Sequence, residues 1–183
     1  MLELVRSTSS FFTLPGSTDT QRGLVVGLAQ TPAELESIQR LRYDVFSTEY
    51  GAVMGAAAEG IDADSFDPFC EHLMVRELGS DRVVGTYRVL TPGAARRAGG
   101  YYSDTEFDLT RLRALRHRVA EIGRSCVHAE HRSGGAIIAL WGALAEFMAR
   151  NGLDTVIGCA SVSMRDGGHV AASLWEQLRH THL

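Results

Sequence analysis

Val119-Ala-Glu-Ile-Gly-Arg-Ser-Cys-Val127, then Arg132-Ser-Gly-Gly-Ala136, then Thr155-Val-Ile-Gly-Cys-Ala-Ser161 is the stretch that decides the fold. The first run reads as a strand. Between the outer runs, Ile137, Trp141, Leu144, Phe147 and Met148 recur at helical spacing until Asn151-Gly152 ends the helix. Thr155 to Ser161 reads as a buried strand, so the whole is a βαβ unit. At its turn, Arg132, Ser133, Gly134, Gly135 and Ala136 offer unpaired helix N–H groups and a positive dipole end to a phosphate. Glu121 and Arg124 have opposite parity in the first strand, and a bulge would bring both to one site.

Working toward the N-terminus, residues 109 to 116 read as a short helix after a glycine-rich loop. His72–Leu78 and Arg82–Leu90 form an antiparallel hairpin across Gly79-Ser-Asp81, with Arg88 on the face shared by Thr86 and Leu90. Residues 51 to 68 form a loop that carries Asp64 and Asp67 and ends at Asp67-Pro68. Before it, Thr31-Pro-Ala-Glu34 is a capping box with proline at the first helical position, followed by Leu35, Ile38, Leu41 and Val45. Arg42 and Phe46 continue the spacing from Ile38, so a cation sits beside the buried stripe and needs a partner. Leu24–Ala29 reads as the first strand. Residues 1–22, rich in Ser and Thr, read as a flexible arm before a domain spanning 23–183.

The 183 residues are 45% hydrophobic, enough for one domain with a substantial core. A net charge of -4 argues against nonspecific nucleic-acid binding. All 18 basic residues are arginine, which excludes lysine Schiff-base chemistry and makes any anion clamp a guanidinium fork. Arg96, Arg97, Arg111, Arg113, Arg116 and Arg118 form a basic stretch, either a solvated face or a docking surface for an acidic partner. Cys70, Cys126 and Cys159 suggest neither a disulfide framework nor a thiolate metal site, which fits a cytoplasmic setting. Cys126 and Cys159 read as inert core. His128-x-x-His131 shows no third ligand in its pattern, so no metal site is expected. The most apolar segment, Ala136–Ala145, is far shorter than the about 20 residues of a membrane span, and no signal peptide is expected.

Leu41-Arg-Tyr-Asp-Val-Phe46, Glu49-Tyr-Gly-Ala52, Asp62-x-Asp64-x-Phe66-Asp67-x-x-Cys70-x-His72-Leu73, Val84-Gly-Thr-Tyr-Arg88, Tyr101-Tyr-Ser-x-x-Glu-Phe-Asp108, Glu121–Val127 and Leu140-Trp141 carry a further signal. From about residue 24 to 178 the chain resembles the bacterial L-ornithine N(alpha)-acyltransferases of ornithine-lipid biosynthesis. These are a GNAT-like branch related to the acyl-homoserine-lactone synthases. The resemblance implies an α/β fold with a mixed sheet flanked by helices in three α-β-α layers. It also implies transfer of a 3-hydroxyacyl group from acyl carrier protein to the α-amine of ornithine, by direct attack on the thioester. Members of that family continue well past Leu183, so the chain is expected to lack their C-terminal portion.

On that resemblance the donor's phosphopantetheine, with no tightly bound cofactor, falls to Arg132, Ser133, Gly134, Gly135 and Ala136. The motif of common acetyl-CoA users is imperfect, with Ile137 at its last position. Glu121 is the candidate base, alongside Arg124 and Arg88. The same three residues also admit a purely structural network. Asp64 and Asp67 are candidates to bind the acceptor's amino groups, or to serve as turn and loop caps. Arg42 and Arg88 would hold the acceptor's carboxylate or anchor those acids, with anchoring favoured for Arg42, and Phe46 one turn beyond counts with the substrate-binding residues. Peripheral contact with the membrane that receives the product is a further expectation. One alternative is an acyl-homoserine-lactone synthase that uses S-adenosylmethionine. Against it, that family's tryptophan after the Arg/Phe helix motif is absent, and Gly123–Val127 favours the ornithine branch. Another is an inactive module that binds acyl carrier protein.

Overall fold

The computed structural model describes residues 12–14, 23–50 and 60–182. Its centre is the hairpin β3 (Glu71–Glu77) and β4 (Val83–Leu90), flanked by β2 (Leu24–Leu28) and β5 (Val119–Val127). β1 (Phe12–Leu14) pairs with β2 at one edge and β6 (Thr155–Ile157) with β5 at the other, in the order β1-β2-β3-β4-β5-β6. All pairings are antiparallel except β5 with β6. β1 lies within residues 1–22, read as an arm, whose other residues lie outside the described set.

Helices cover both faces. α1 (Pro32–Tyr50) starts at the expected capping box: Glu34 N–H donates to Thr31 Oγ1 at 3.2 Å, and Thr31 N–H to Glu34 Oε2 at 3.0 Å. Its Leu41 and Val45 bury against Cys126. On the opposite face α4 (Gly135–Arg150) sets Ala136, Ala139, Leu140 and Leu144 against Val26, Leu73, Val75, Val84 and Val89. The layers are therefore helix, mixed sheet and helix, as expected of a GNAT-type α/β domain.

Residues 91–108, read as a glycine-rich loop, instead hold two short helices. α2 (Pro92–Ala98) is capped by Thr91, whose side chain accepts from Ala94 N–H, and α3 (Ser103–Glu106) follows. Ala94, Ala95 and Tyr101 pack on Leu90 and Val119 as a second core. Thr110–Leu115 forms the expected short helix, as 3-10 turns. α5 (His169–His182) buries none of its side chains among the described residues, and Val170, Leu174, Trp175 and Leu178 are exposed along it. No described helix is long and apolar enough to cross a membrane.

The strand expected from Thr155 to Ser161 is shorter and more open than its sequence suggests. The β5–β6 ladder pairs Val119 with Thr155, Ala120 with Val156 and Glu121 with Ile157, and goes no further. Val156 is 38% exposed, so β6 is an edge strand and not a buried one. At the last rung the backbones touch: a Cβ on Gly158 would stand 2.7 Å from the Ile122 carbonyl oxygen. Past that contact the two segments separate into a cleft.

Gly158→Ala is therefore expected to lower stability by about 1–3 kcal/mol, the usual cost of overpacking against an immobile group. Gly142→Ala, in α4 with nothing within 4 Å of the added carbon, should gain about 0.5–1 kcal/mol instead. Urea unfolding of both variants checks the contrast.

Candidate active site

Arg42 is fully buried on α1, and an unpaired guanidinium there would be prohibitively costly. Its Nη2 donates to Asp67 Oδ2 at 2.6 Å and its Nη1 to Asp67 Oδ1 at 3.2 Å. Nη2 also donates to the Asp62 carbonyl. Nε lies 2.9 Å from Asp62 Oδ2. That is ion-pair distance, although the N–H does not point at the oxygen. Two more arginines reach the same turn. Arg88 on β4 donates from Nη1 to Asp64 Oδ1 at 2.6 Å and Asp67 Oδ1 at 2.8 Å. Arg124 on β5 donates from Nη2 to Asp64 Oδ2 at 3.1 Å, with Nε 3.2 Å from Asp62 Oδ2. Arg42, Arg88 and Arg124, from a helix and two strands, thus face Asp62, Asp64 and Asp67 from one turn.

Arg124 reaches this network because β5 bulges. Arg88 pairs with Gly123 and Thr86 with Cys126, so Arg124 and Ser125 both stand opposite Tyr87, and Arg124 is left-handed at φ 49°. The extra residue puts Glu121, Gly123 and Arg124 on one face despite their parity.

Charge pairing sets the protonation states. Burial pushes the Asp67 carboxyl up, but Arg42, Arg88 and the Gln39 amide outweigh it and hold the group at about 2. Burial also pushes Asp64 up, and Arg88 again prevails, leaving it below the usual range. Burial lowers the pKa of His72 despite nearby Asp67. A neutral His72 can donate from Nε2 to the Asp67 carbonyl, 3.1 Å away.

In front of the network lies a pocket of about 100 Å³ at the opening between β5 and the segment after β6. Arg88, Glu121, Gly123, Arg124, Tyr102 and Cys159 line it, among apolar neighbours including Phe66 and Leu90. Glu121 is buried and accepts the Tyr102 and Ser103 N–H groups, each at 2.7 Å, together with the Ser103 hydroxyl. An ionised carboxylate has about four lone-pair sites. Glu121 therefore holds the start of α3 and keeps one site for a further donor. Arg88 Nη2 and Arg124 Nη1 make no hydrogen bond among the described residues, which leaves guanidinium edges available at the pocket.

The expected residues thus divide into three groups. Glu121, Arg88 and Arg124 come together at the pocket. Arg42, Asp64 and Asp67 stand behind it, Asp67 paired with Arg42 and Arg88 and Asp64 with Arg88 and Arg124, and Phe46 packs on the Leu41, Val45 and Cys126 cluster. Arg132, Ser133, Gly134, Gly135 and Ala136 lie at the start of α4 and do not line the pocket. Arg132 donates to the Val127 carbonyl and pairs with Glu49. Gly134, at φ 112°, gives α4 no side-chain cap, and the first turn-closing bond is Ile138 N–H to the Gly134 carbonyl. The N–H groups of Gly135, Ala136 and Ile137 consequently have no partner within the helix.

Asp62, Tyr102 and Cys159 were not foreseen as site residues. Asp62 precedes Asp64 by two positions, a spacing that could have signalled it. Cys159 is not core but exposed at the pocket, 3.4 Å from the Ser103 hydroxyl. Cys70 and Cys126 are pushed up to about 12 by burial and are poor nucleophiles. His128, Glu130 and His131 do offer ligand atoms within 4.8 Å of one another, with Glu130 as the third group the pattern had not shown. Arg82 already stands there, 2.8 Å from His128 Nε2 and 3.5 Å from Glu130, while His131 binds Glu77 at 2.9 Å.

Asp67→Asn should lower stability by about 3–5 kcal/mol, the cost of stranding a buried charge. Arg40→Ala, which breaks an exposed pair with Glu36, should change it by no more than about 0.5 kcal/mol. Because Asp67 is at about 2 when folded against an ordinary 3.8, its stabilisation is complete above the ordinary value and is lost as pH falls toward 2. Urea midpoints measured against pH should decline below about pH 4 in the parent chain and less steeply in Asp67→Asn.

The chain is similar to known proteins. The L-ornithine N(alpha)-acyltransferase of Rhodobacter capsulatus is 39% identical over 166 residues, 86% of this chain and 63% of that protein. That of Brucella abortus is 39% identical over 147 residues, 75% and 52% respectively. The chain thus spans between about half and 63% of the length of these curated relatives. Among solved structures, the N-acyl amino acid synthase FeeM from uncultured soil microbes superposes with a TM-score of 0.61 at 14% identity, over 80% of this chain and 76% of that one. The acyl-homoserine lactone synthase BjaI, solved with SAM and isopentyl-CoA, gives 0.52 at 25%, over 75% and 64%. The family model for the acetyltransferase (GNAT) domain matches residues 41–142, the span from α1 through the bulged strand into α4. With more than half its length inside that match and the cleft at the opening of β5 and β6, the chain belongs to the GNAT acetyltransferase domain family.

Proposed function

We propose that the chain carries the catalytic site of an N-acyltransferase that moves a 3-hydroxyacyl group from acyl carrier protein to the α-amine of ornithine. The observation that carries this reading is one pocket wall that brings the Arg88 and Arg124 guanidiniums beside Glu121, which has one acceptor site left. Such a wall suits an α-amino acid: the carboxylate takes the arginine forks and the ammonium donates to Glu121. The curated relatives carry the ornithine acyltransferase name over most of this chain.

The donor fits the cleft. Where the β5–β6 ladder ends, an extended pantetheine arm can lie between the diverging segments and use backbone groups that no longer pair across the sheet. Its phosphate suits the unpartnered N–H groups at the start of α4. The carrier protein suits the basic surface on α2 and the 3-10 segment. There Arg116 and Arg118 pair with Asp104 and Asp154, while Arg96, Arg97, Arg111 and Arg113 are exposed.

Reaction follows without a covalent enzyme intermediate. Glu121 holds the amine and takes its proton, directly or through a water, and the freed amine attacks the thioester carbonyl. N–H donors steady the tetrahedral oxyanion, and collapse expels the carrier thiolate, which is protonated as the amide forms. Asp62, Asp64 and Asp67 act through the arginines they position.

Release of carrier thiol from 3-hydroxyacyl carrier protein tests the reading. Ornithine-dependent release is expected. Release only with S-adenosylmethionine would move the chain to lactone synthesis, and binding of the carrier without release would favour an inactive module. Glu121→Gln should cut the ornithine rate about 10²–10⁴-fold without weakening donor binding; unchanged turnover would remove Glu121 from the chemistry.

A further inference from the structure

Gly123 lines the pocket with no structural reason to be glycine. Its φ lies outside the left-handed range, and a Cβ built on it meets nothing within 4 Å. The bulge does not require it either, since the left-handed position belongs to Arg124. Gly158, across the cleft, is the opposite case, pressed against the Ile122 carbonyl. The vacancy at Gly123 is therefore pocket space, and its neighbours identify what it holds. Arg88 is its partner across the β4–β5 ladder, Arg124 follows it, and Glu121 shares its face two residues earlier.

We infer that Gly123 is a specificity-determining residue whose missing side chain seats the α-carbon of the amino-acid acceptor, between the arginines that take its carboxylate and the glutamate that takes its ammonium. The inference rests on the amino-acid reading above and deepens it. The pocket is small, about 100 Å³, so added carbons at its wall take up a real share of it. A side chain of one to three carbons at this point competes directly with the acceptor. The acyl arm shares this cleft, so titrating the donor beside the acceptor decides which of the two the vacancy seats.

The test compares the full chain with Gly123→Ala and Gly123→Val. Thermal midpoints are measured together with calorimetric titrations of L-ornithine and of a short 3-hydroxyacyl pantetheine thioester. Both variants should keep the parent midpoint. Ornithine affinity should fall about tenfold or more in Gly123→Ala, the scale on which one misplaced carbon is discriminated, and disappear in Gly123→Val, with thioester affinity retained in both. Ornithine affinity unchanged in Gly123→Val would overturn the inference. So would loss of thioester affinity alone, which would give the vacancy to the donor, or unfolding of both variants, which would show that packing needs the glycine. A parent chain that binds the thioester and no α-amino acid would end the acceptor reading itself, an outcome distinct from a parent that binds ornithine and a variant that binds it equally well.

Discussion

A buried guanidinium organises this molecule. Arg42 sits under the sheet with no access to water, so the chain must bring it carboxylates, and it does so by folding residues 62–67 into a tight turn over α1. Phe66 N–H donating to Asp64 Oδ1 at 2.9 Å closes the turn. Once the aspartates are fixed there, they hold Arg88 and Arg124 in turn. Ion networks of this kind seldom add much net stability, because desolvation consumes most of the attraction. What this one does supply is position: two strands deliver guanidiniums to the same place, each with an edge left over.

The second constraint is the opening of the sheet. β5 serves two neighbours with different demands. Toward β4 it bulges, which turns Arg124 into the site. Toward β6 it pairs through Glu121 and then releases its partner just past the contact between Gly158 and Ile122. Glu121 is at both events, on the last rung of the parallel ladder and on the face of the bulge, while its carboxylate holds α3 in place as the far wall. A change at any of these three features should therefore be felt at the other two, through one short piece of strand.

Much of this was legible in the sequence because it is local. The capping box at Thr31 and Glu34, the hairpin across Gly79-Ser-Asp81 and the extent of β5 each follow from a few adjacent residues. The demand of Arg42 for a partner was legible too, since a cation beside a buried stripe has no other solution. What stayed hidden depends on chain segments far apart. α2 and α3 are too short to show a helical period, and α3 owes its position to a glutamate from a later strand. The opening after Ile157 comes from a backbone approach with no side-chain signature, so Thr155–Ser161 read as a longer and more buried strand. Cys159 looked like core for the same reason. The role of Asp62 has no signature apart from that of Asp64 and Asp67 until the fold shows three arginines that need three carboxylates.

That balance bears on the proposed acceptor. Three guanidiniums stand against three aspartates, so the charge the pocket adds to that balance is the Glu121 carboxylate beside arginines that are already paired. A zwitterion is the natural occupant, because it brings one charge of each sign and asks for no uncompensated group in a half-buried site. The second ammonium of ornithine lies at the end of a flexible chain and can remain in water, as long cationic side chains do at protein surfaces. The sulfonium of S-adenosylmethionine lies nearly as far from its α-carbon as ornithine's second nitrogen does, but it carries an adenosyl group and would need more room. Glu121 is the one carboxylate among the pocket's lining residues, and most of its capacity already holds α3. On these grounds the proposed acceptor is a plain diamino acid, the smaller of the two.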